Sequence, residues 1–166
     1  MKLGITGHRP QKLGYEFNMK GPFSDFARKK INEQFNILKP KEFICGLALG
    51  IDMIGAIEAL RAGINLIAAV PCLNQEKQWK SEELKDIYHE ILKKAWLVKI
   101  VSQQEYFVGC MQIRNEWMID YLNEPEDKLL GFHNGTTGGT FNCIKYAREK
   151  LPEENIIIIN PFDYNK

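Results

Sequence analysis

The chain has 166 residues, 45% hydrophobic and 26% charged, which suits one globular unit with its own core and excludes a disordered, collagen-like or disulfide-knit chain. With 22 Lys and Arg against 21 Asp and Glu the formal charge is +1, which disfavours nucleic acid as a partner because a dedicated duplex-DNA binder carries a basic excess or stripe. The longest apolar tracts, Leu66–Val70 and Ile156–Ile159, fall short of the about 18 residues that a membrane helix needs. The amino terminus reaches Gly7 and His8 too soon for a signal peptide, so a cytoplasmic protein with one domain over 1–166 is expected.

In chain order, Lys2–Thr6 reads as a first strand and Phe23–Leu38 as a helix, with Ser24 or Pro22 near its start and Pro40 past its end. Glu42–Cys45 is a second strand, followed by a helix over Gly50–Ala62 with Ile51, Ile54, Ile57 and Leu60 three apart. Asn65–Val70 is a third strand, stopped by Pro71. Ser81–Ala95 is the clearest helix: Leu84, Ile87, Tyr88, Ile91 and Leu92 recur with helical period, Glu82 and Glu83 open it, and Lys93 and Lys94 close it. Leu97–Val101 is a fourth strand, Cys110–Leu122 a helix, Lys128–Phe132 a fifth strand, Gly139–Lys150 a helix and Asn155–Ile159 a sixth strand.

This alternation predicts an α/β, Rossmann-like three-layer sandwich with a mostly parallel sheet of about six strands. Near-continuous apolar strands such as Ile156–Ile159 fit a sheet buried on both faces. Right-handed crossovers favour the order 4-3-2-1-5-6. The switch then lies between strands one and five, where open α/β sheets bind ligands beyond the carboxyl ends of their strands.

Three loops would meet at that edge: Gly4–Pro10, Cys45–Asp52 and His133–Thr140. In the third, Gly138 and Gly139 open a helix followed by Thr140, a pattern that serves a phosphate through free helix amides or simply makes a tight turn. The first loop carries His8 and Arg9, read either as a solvated exposed pair or as a phosphate grip. Asp52, in a first helical turn, either favours the helix dipole or takes a ribose hydroxyl. Arg114 shares a helical stripe with Met111, Met118 and Tyr121, flanked by Asn115, and either snorkels to the rim or points into the site. An exposed Trp79 would stack on a base or cover the core edge. Cys45, Cys72, Cys110 and Cys143 form no C-x-x-C pair and lack metal-ligand spacing, so buried reduced thiols, with no disulfide and no metal, are expected.

Gly46–Asp52 with Gly55, Ala56 and Ala59 resembles the second glycine motif of the SLOG superfamily, which includes the Rossmann-like domain of DprA and the LOG phosphoribohydrolases. Gly4–Pro10, Gln75–Trp79, Arg114-Asn115 and Gly135–Thr140 resemble its YpsA/YoqJ-like branch, and the likeness runs from Lys2 to Ile159. It implies a nucleotide or nucleotide-derived, ADP-ribose-like ligand, no required cofactor, and a bacterial or phage setting; a homo-oligomer is compatible with it. The implied ligand contacts are Thr6, Gly7, His8, Arg9, Gly46, Ala48, Gly50, Asp52, Trp79, Arg114, Asn115, Asn134, Gly135, Thr137, Gly138, Gly139, Thr140 and Asn142. LOG hydrolases follow the similar Gly-rich motif with a catalytic glutamate, whereas Phe141, Asn142 and Cys143 stand here. A binding module, sensing or sequestering, is therefore the expectation, ahead of a nucleotide N-glycosidase using Asp52, Asp120 or Glu116 with His8, and of a protein–protein adaptor with a vestigial pocket.

Overall fold

Apolar runs of four to six residues become strands β1 (Lys2–Gly7), β2 (Glu42–Cys45), β3 (Asn65–Val70), β4 (Leu97–Ile100), β5 (Lys128–Phe132) and β6 (Ile156–Ile159). Between them run helices α1 (Pro22–Leu38), α2 (Ile51–Arg61), α3 (Glu82–Lys94), α4 (Cys110–Tyr121) and α5 (Gly139–Lys150). The computed structural model describes residues 1–14, 17 and 19–165. Helix ends follow local chemistry. Ser81 caps α3 by accepting the Leu84 amide at 3.2 Å, and Pro22 occupies the first turn of α1, where its missing N–H costs nothing.

All strand pairs are parallel and the order is β4-β3-β2-β1-β5-β6, as the alternation predicts. Leu3, Ile5, Phe43, Leu66, Ala68, Leu130 and Phe132 form a core with α1, α2 and α3 on one face. Ile44, Ile67, Ala69 and Leu129 pack with α4 and α5 on the other. Helix α2 is buried round most of its girth, and a Cβ on Gly55 would come within 2.8 Å of the Phe43 ring, so glycine sets how closely it lies on the sheet. Among the described residues no helix is long and apolar enough to cross a membrane.

One strand differs from the sequence expectation. Ile156–Ile159 is not buried on both faces: β6 pairs only with β5, and Ile158 is 42% exposed. Its apolar run fits an interior strand equally well, and only its place in the sheet order puts it at the rim. At the centre, β1 lies between β2 and β5, so the loops leaving these three strands share the carboxyl edge.

Candidate functional site

The first loop leaves β1 at Gly7, where a Cβ would stand 2.7 Å from Ile51 Cβ, so only glycine lets the chain pass the first turn of α2. The His8 amide then donates to the Phe132 carbonyl at 3.2 Å, binding this loop to the end of β5. Pro10 opens a short 3-10 helix, Pro10–Leu13, which ends at Gly14 in the left-handed region with φ 78°. That turn carries Lys12 across to the third loop, where its ammonium donates to the Thr137 carbonyl and fills the space a Cβ on Gly138 would take.

The second loop is built around a buried ion pair. A Cβ on Gly46 would overlap the Arg114 guanidinium. Asp52 Oδ2 accepts the amides of Gly46 at 3.1 Å and Ala48 at 3.4 Å, and stands 4.0 Å from Arg114 Nη1. Leu47 is held in the left-handed region with φ 51°, a conformation costing an ordinary residue roughly 1–2 kcal/mol. Gln75 stabilises it, its Nε2 donating to the carbonyls of Gly46 at 3.1 Å and Leu47 at 2.9 Å. Arg114 comes from α4, and its Nε donates to Asn115 Oδ1 at 2.9 Å. Its Nη1 is buried and has no hydrogen-bond partner among the described residues.

The third loop folds on itself before α5 begins. Asn134 Oδ1 accepts the Thr136 amide at 3.1 Å and the Thr136 hydroxyl at 2.7 Å. The His133 ring meets the Thr136 carbonyl at 2.9 Å. Gly138 precedes the first turn of α5, and Gly139 stands at its start with open space where a side chain would go.

These loops enclose a cleft of about 310 Å³. Thr6, Gly7, His8 and Arg9 line it from the first loop, Ala48 and Asp52 from the second, Arg114 and Asn115 from α4, and Gly139 and Thr140 from α5. Lys12 and Met111 complete it. Three cations face one carboxylate, and the amino end of α5 adds its partial positive charge. Burial pushes the Asp52 carboxyl above its usual range although Arg114 and the two amides pull it down. His8 is 2% exposed and lies 4.9 Å from the His133 ring. Burial, then the neighbouring His133 and Lys12, hold its pKa below the ordinary 6.5, so the ring is neutral at pH 7.

The exposed His8–Arg9 pair expected from sequence is therefore split: Arg9 is exposed and His8 is buried beneath the β1–β5 junction. Trp79 is half-buried against Tyr88, rings 5.3 Å apart and edge-on, and lines a second compartment of about 360 Å³. Gly46 and Gly50 shape the second loop from behind: a Cβ on Gly50 would press within 3.1 Å of Pro10. Asn134, Gly135, Thr137, Gly138 and the exposed Asn142 belong to the third loop and the start of α5 without lining the cleft. All four cysteines are buried and free. Sequence reasoning missed Lys12, whose signal was Pro10 and Gly14 framing one helical turn, and Gln75 as the brace of Leu47, for which no local pattern speaks.

A parallel sheet with a cationic cleft at its switch point defines a Rossmann-like architecture with a candidate site at its carboxyl edge. The YpsA family, described as the YspA SLOG family, matches residues 3–162, and the chain belongs to it. The SPbeta prophage-derived protein YoqJ of Bacillus subtilis (strain 168) is 28% identical over 166 residues, covering 89% of this chain and 94% of YoqJ. Among solved structures, DNA processing protein A from Helicobacter pylori, described for its single-stranded DNA binding mode, superposes with a TM-score of 0.65 at 15% identity. The match covers 95% of this chain and 64% of that one, a likeness of fold. DNA processing protein A from Streptococcus pneumoniae gives a TM-score of 0.38 at 15% identity, over 96% of this chain and 58% of that one.

Proposed function

We propose that the chain binds a nucleotide or nucleotide-derived, ADP-ribose-like ligand in the cytoplasm of a bacterium or phage-infected host, as a sensor or sequestering module without a required cofactor. The phosphates lie at the amino end of α5, on the amides of Gly139 and Thr140, with Arg9, Lys12 and Arg114 around them. The observation that carries this reading is Arg114: a guanidinium 5% exposed, with Nη1 unpartnered among the described residues and the Asp52 carboxylate 4.0 Å away, lining a cleft at a helix amino terminus. A buried charged donor without a partner is costly, and an anion relieves that cost. Among the described residues backbone amides engage Oδ2 of Asp52 and not Oδ1, which leaves Oδ1 to accept a ribose hydroxyl.

A binding role is favoured over hydrolysis. Phe141, Asn142 and Cys143 bring no carboxylate to the start of α5. Of the three candidate acids, Glu116 accepts from Gln112 at 2.9 Å and Asp120 from Tyr146 at 2.9 Å, and neither lines the cleft. Asp52 lines the cleft, but its Oδ2 is held by two amides and lies 4.0 Å from Arg114, and its Oδ1 is the acceptor proposed for a ribose hydroxyl.

The test is calorimetry with ADP-ribose, NAD, AMP and GMP, a single-stranded oligonucleotide serving as the competing ligand, on wild type and Gly139→Val. A valine side chain at Gly139 meets open space and no left-handed φ, so circular dichroism and stability stay at wild-type values while affinity falls by about a hundredfold or more. Equal affinity in both proteins places the phosphate elsewhere and overturns this reading. Mass spectrometry of the same incubations is expected to find no hydrolysis product; turnover near 1 per second would make the protein an enzyme.

A further inference from the structure

We propose that the compartment beside the anion cleft is a nucleoside subsite, so that the ligand is held by its base as well as by its phosphates. This subsite presupposes the anion site proposed above.

The two compartments adjoin, sharing Arg9, Ala48 and Met111 as a common wall. Their chemistry changes across that wall. On the far side stand four amide side chains, Gln11, Asn74, Gln75 and Gln78, and two aromatic rings, Trp79 and Tyr106, with Arg9 the sole charged group among the described lining residues. Neutral amides and ring faces are poor partners for a second phosphate and good ones for a planar heteroaromatic ring that carries donors and acceptors.

Both rings are held for such a role. Trp79 is propped edge-on against Tyr88, with an interplanar angle of 79°, which fixes its orientation. Tyr106 is 49% exposed, but its backbone amide donates to Asn74 Oδ1 at 2.9 Å, tying its loop to the wall of the compartment. An exposed ring on an anchored backbone gives stacking area at small entropic cost.

Gln75 supplies the independent sign of a missing partner. It is 6% exposed, and its Nε2 is committed to the carbonyls of Gly46 and Leu47, which fixes which end of the amide is oxygen. That oxygen, Oε1, is buried without a hydrogen-bond partner among the described residues. A buried acceptor at the wall of a cleft calls for a donor, and a nucleoside supplies one as a ring or exocyclic N–H or a ribose hydroxyl.

The test compares inorganic pyrophosphate with ADP, GDP, CDP and UDP by calorimetry, on wild type, Trp79→Leu and Tyr106→Ser. The tyrosine variant removes an exposed ring, so it stays informative if loss of the Trp79–Tyr88 contact disturbs folding. At least one nucleoside diphosphate is expected to bind wild type about tenfold to hundredfold more tightly than pyrophosphate. Each folded variant is expected to lose most of that margin. If pyrophosphate binds wild type and no nucleoside diphosphate binds better, or if the margin survives in every folded variant, the subsite is overturned while the anion site stands. If neither pyrophosphate nor any nucleoside diphosphate binds, the anion site falls and the subsite with it.

Discussion

Two carboxylates are buried at opposite edges of the sheet, and they differ in how completely they are partnered. Asp127, 0% exposed, precedes β5 at the amino edge; it accepts the Lys2 amide at 2.6 Å and the Glu124 amide at 3.1 Å, with Lys2 Nζ at 3.3 Å. Both oxygens and the charge are satisfied within the chain, and the cluster ties the start of β1 to the start of β5. Asp52, at the carboxyl edge, uses only Oδ2 for backbone amides, and its cation stands 4.0 Å off with one nitrogen unpartnered. A closed cluster stabilises the fold. An incomplete one retains electrostatic free energy for a ligand to release.

The strongest way to break this contrast is to open the closed cluster. Asp127→Ala strands two backbone amides and takes the carboxylate from beside the Lys2 ammonium, which keeps the Tyr121 carbonyl and Asn123 Oδ1, and is expected to lower unfolding stability by about 3 kcal/mol. Denaturant unfolding measures it, and ligand affinity of the folded fraction should not move. Gly46→Ala acts at the other edge: its methyl group would occupy the place of the Arg114 guanidinium. Displacing that group should weaken anion affinity about a hundredfold, read by calorimetry with pyrophosphate. An unchanged affinity would remove Arg114 from the site. Arg9→Ala, which deletes an exposed cation at the rim, should cost roughly tenfold in the same titration.

The smallest expected effect is the pH dependence of stability. Because His8 has its folded pKa held below 6.5, the unfolded chain takes up a proton first as pH falls. Stability contributed by neutral His8 is therefore present above pH 6.5 and declines below it. His8→Asn should flatten that decline in unfolding measured between about pH 7 and pH 5. Asp52 has the opposite sign: its carboxyl is raised from 3.8 when folded, so the folded protein binds that proton first and gains stability as pH falls toward 3.8. Asp52→Asn should remove this gain, and a steeper acid loss in the wild type than in Asp52→Asn would contradict the raised carboxyl.

Sequence patterning carried the architecture unusually far. Every strand and α-helix boundary falls within one residue of its expected place, because Gly, Pro and Ser punctuate each apolar run and α3 carries matched charges at its ends. Alternation and crossover handedness narrowed the sheet to a few orders, and the one expected among them is the one observed. Within the site, Thr6, Arg9, Arg114 and Gly139 were legible as residue types that suit an anion and Asp52 as one that suits a ribose hydroxyl, on loops and helix ends that one topology brings together. Trp79 was legible as a ring that stacks on a base or covers the core edge, but its contact with Tyr88 and the bracing of the second loop by Gln75 have no local signature.

The amino-acid order by itself determined what depends on neighbours a few residues apart: the strand and helix periods, the caps, and the glycines at turns. Tertiary structure alone decided what depends on contacts across long stretches of chain. It buried His8 under the end of β5 and left β6 at the rim. It laid the Arg114 guanidinium where Gly46 has no side chain, and carried Lys12 to the Thr137 carbonyl. A side chain's burial and partners are properties of the space between elements, and that space exists only once the sheet has closed around it.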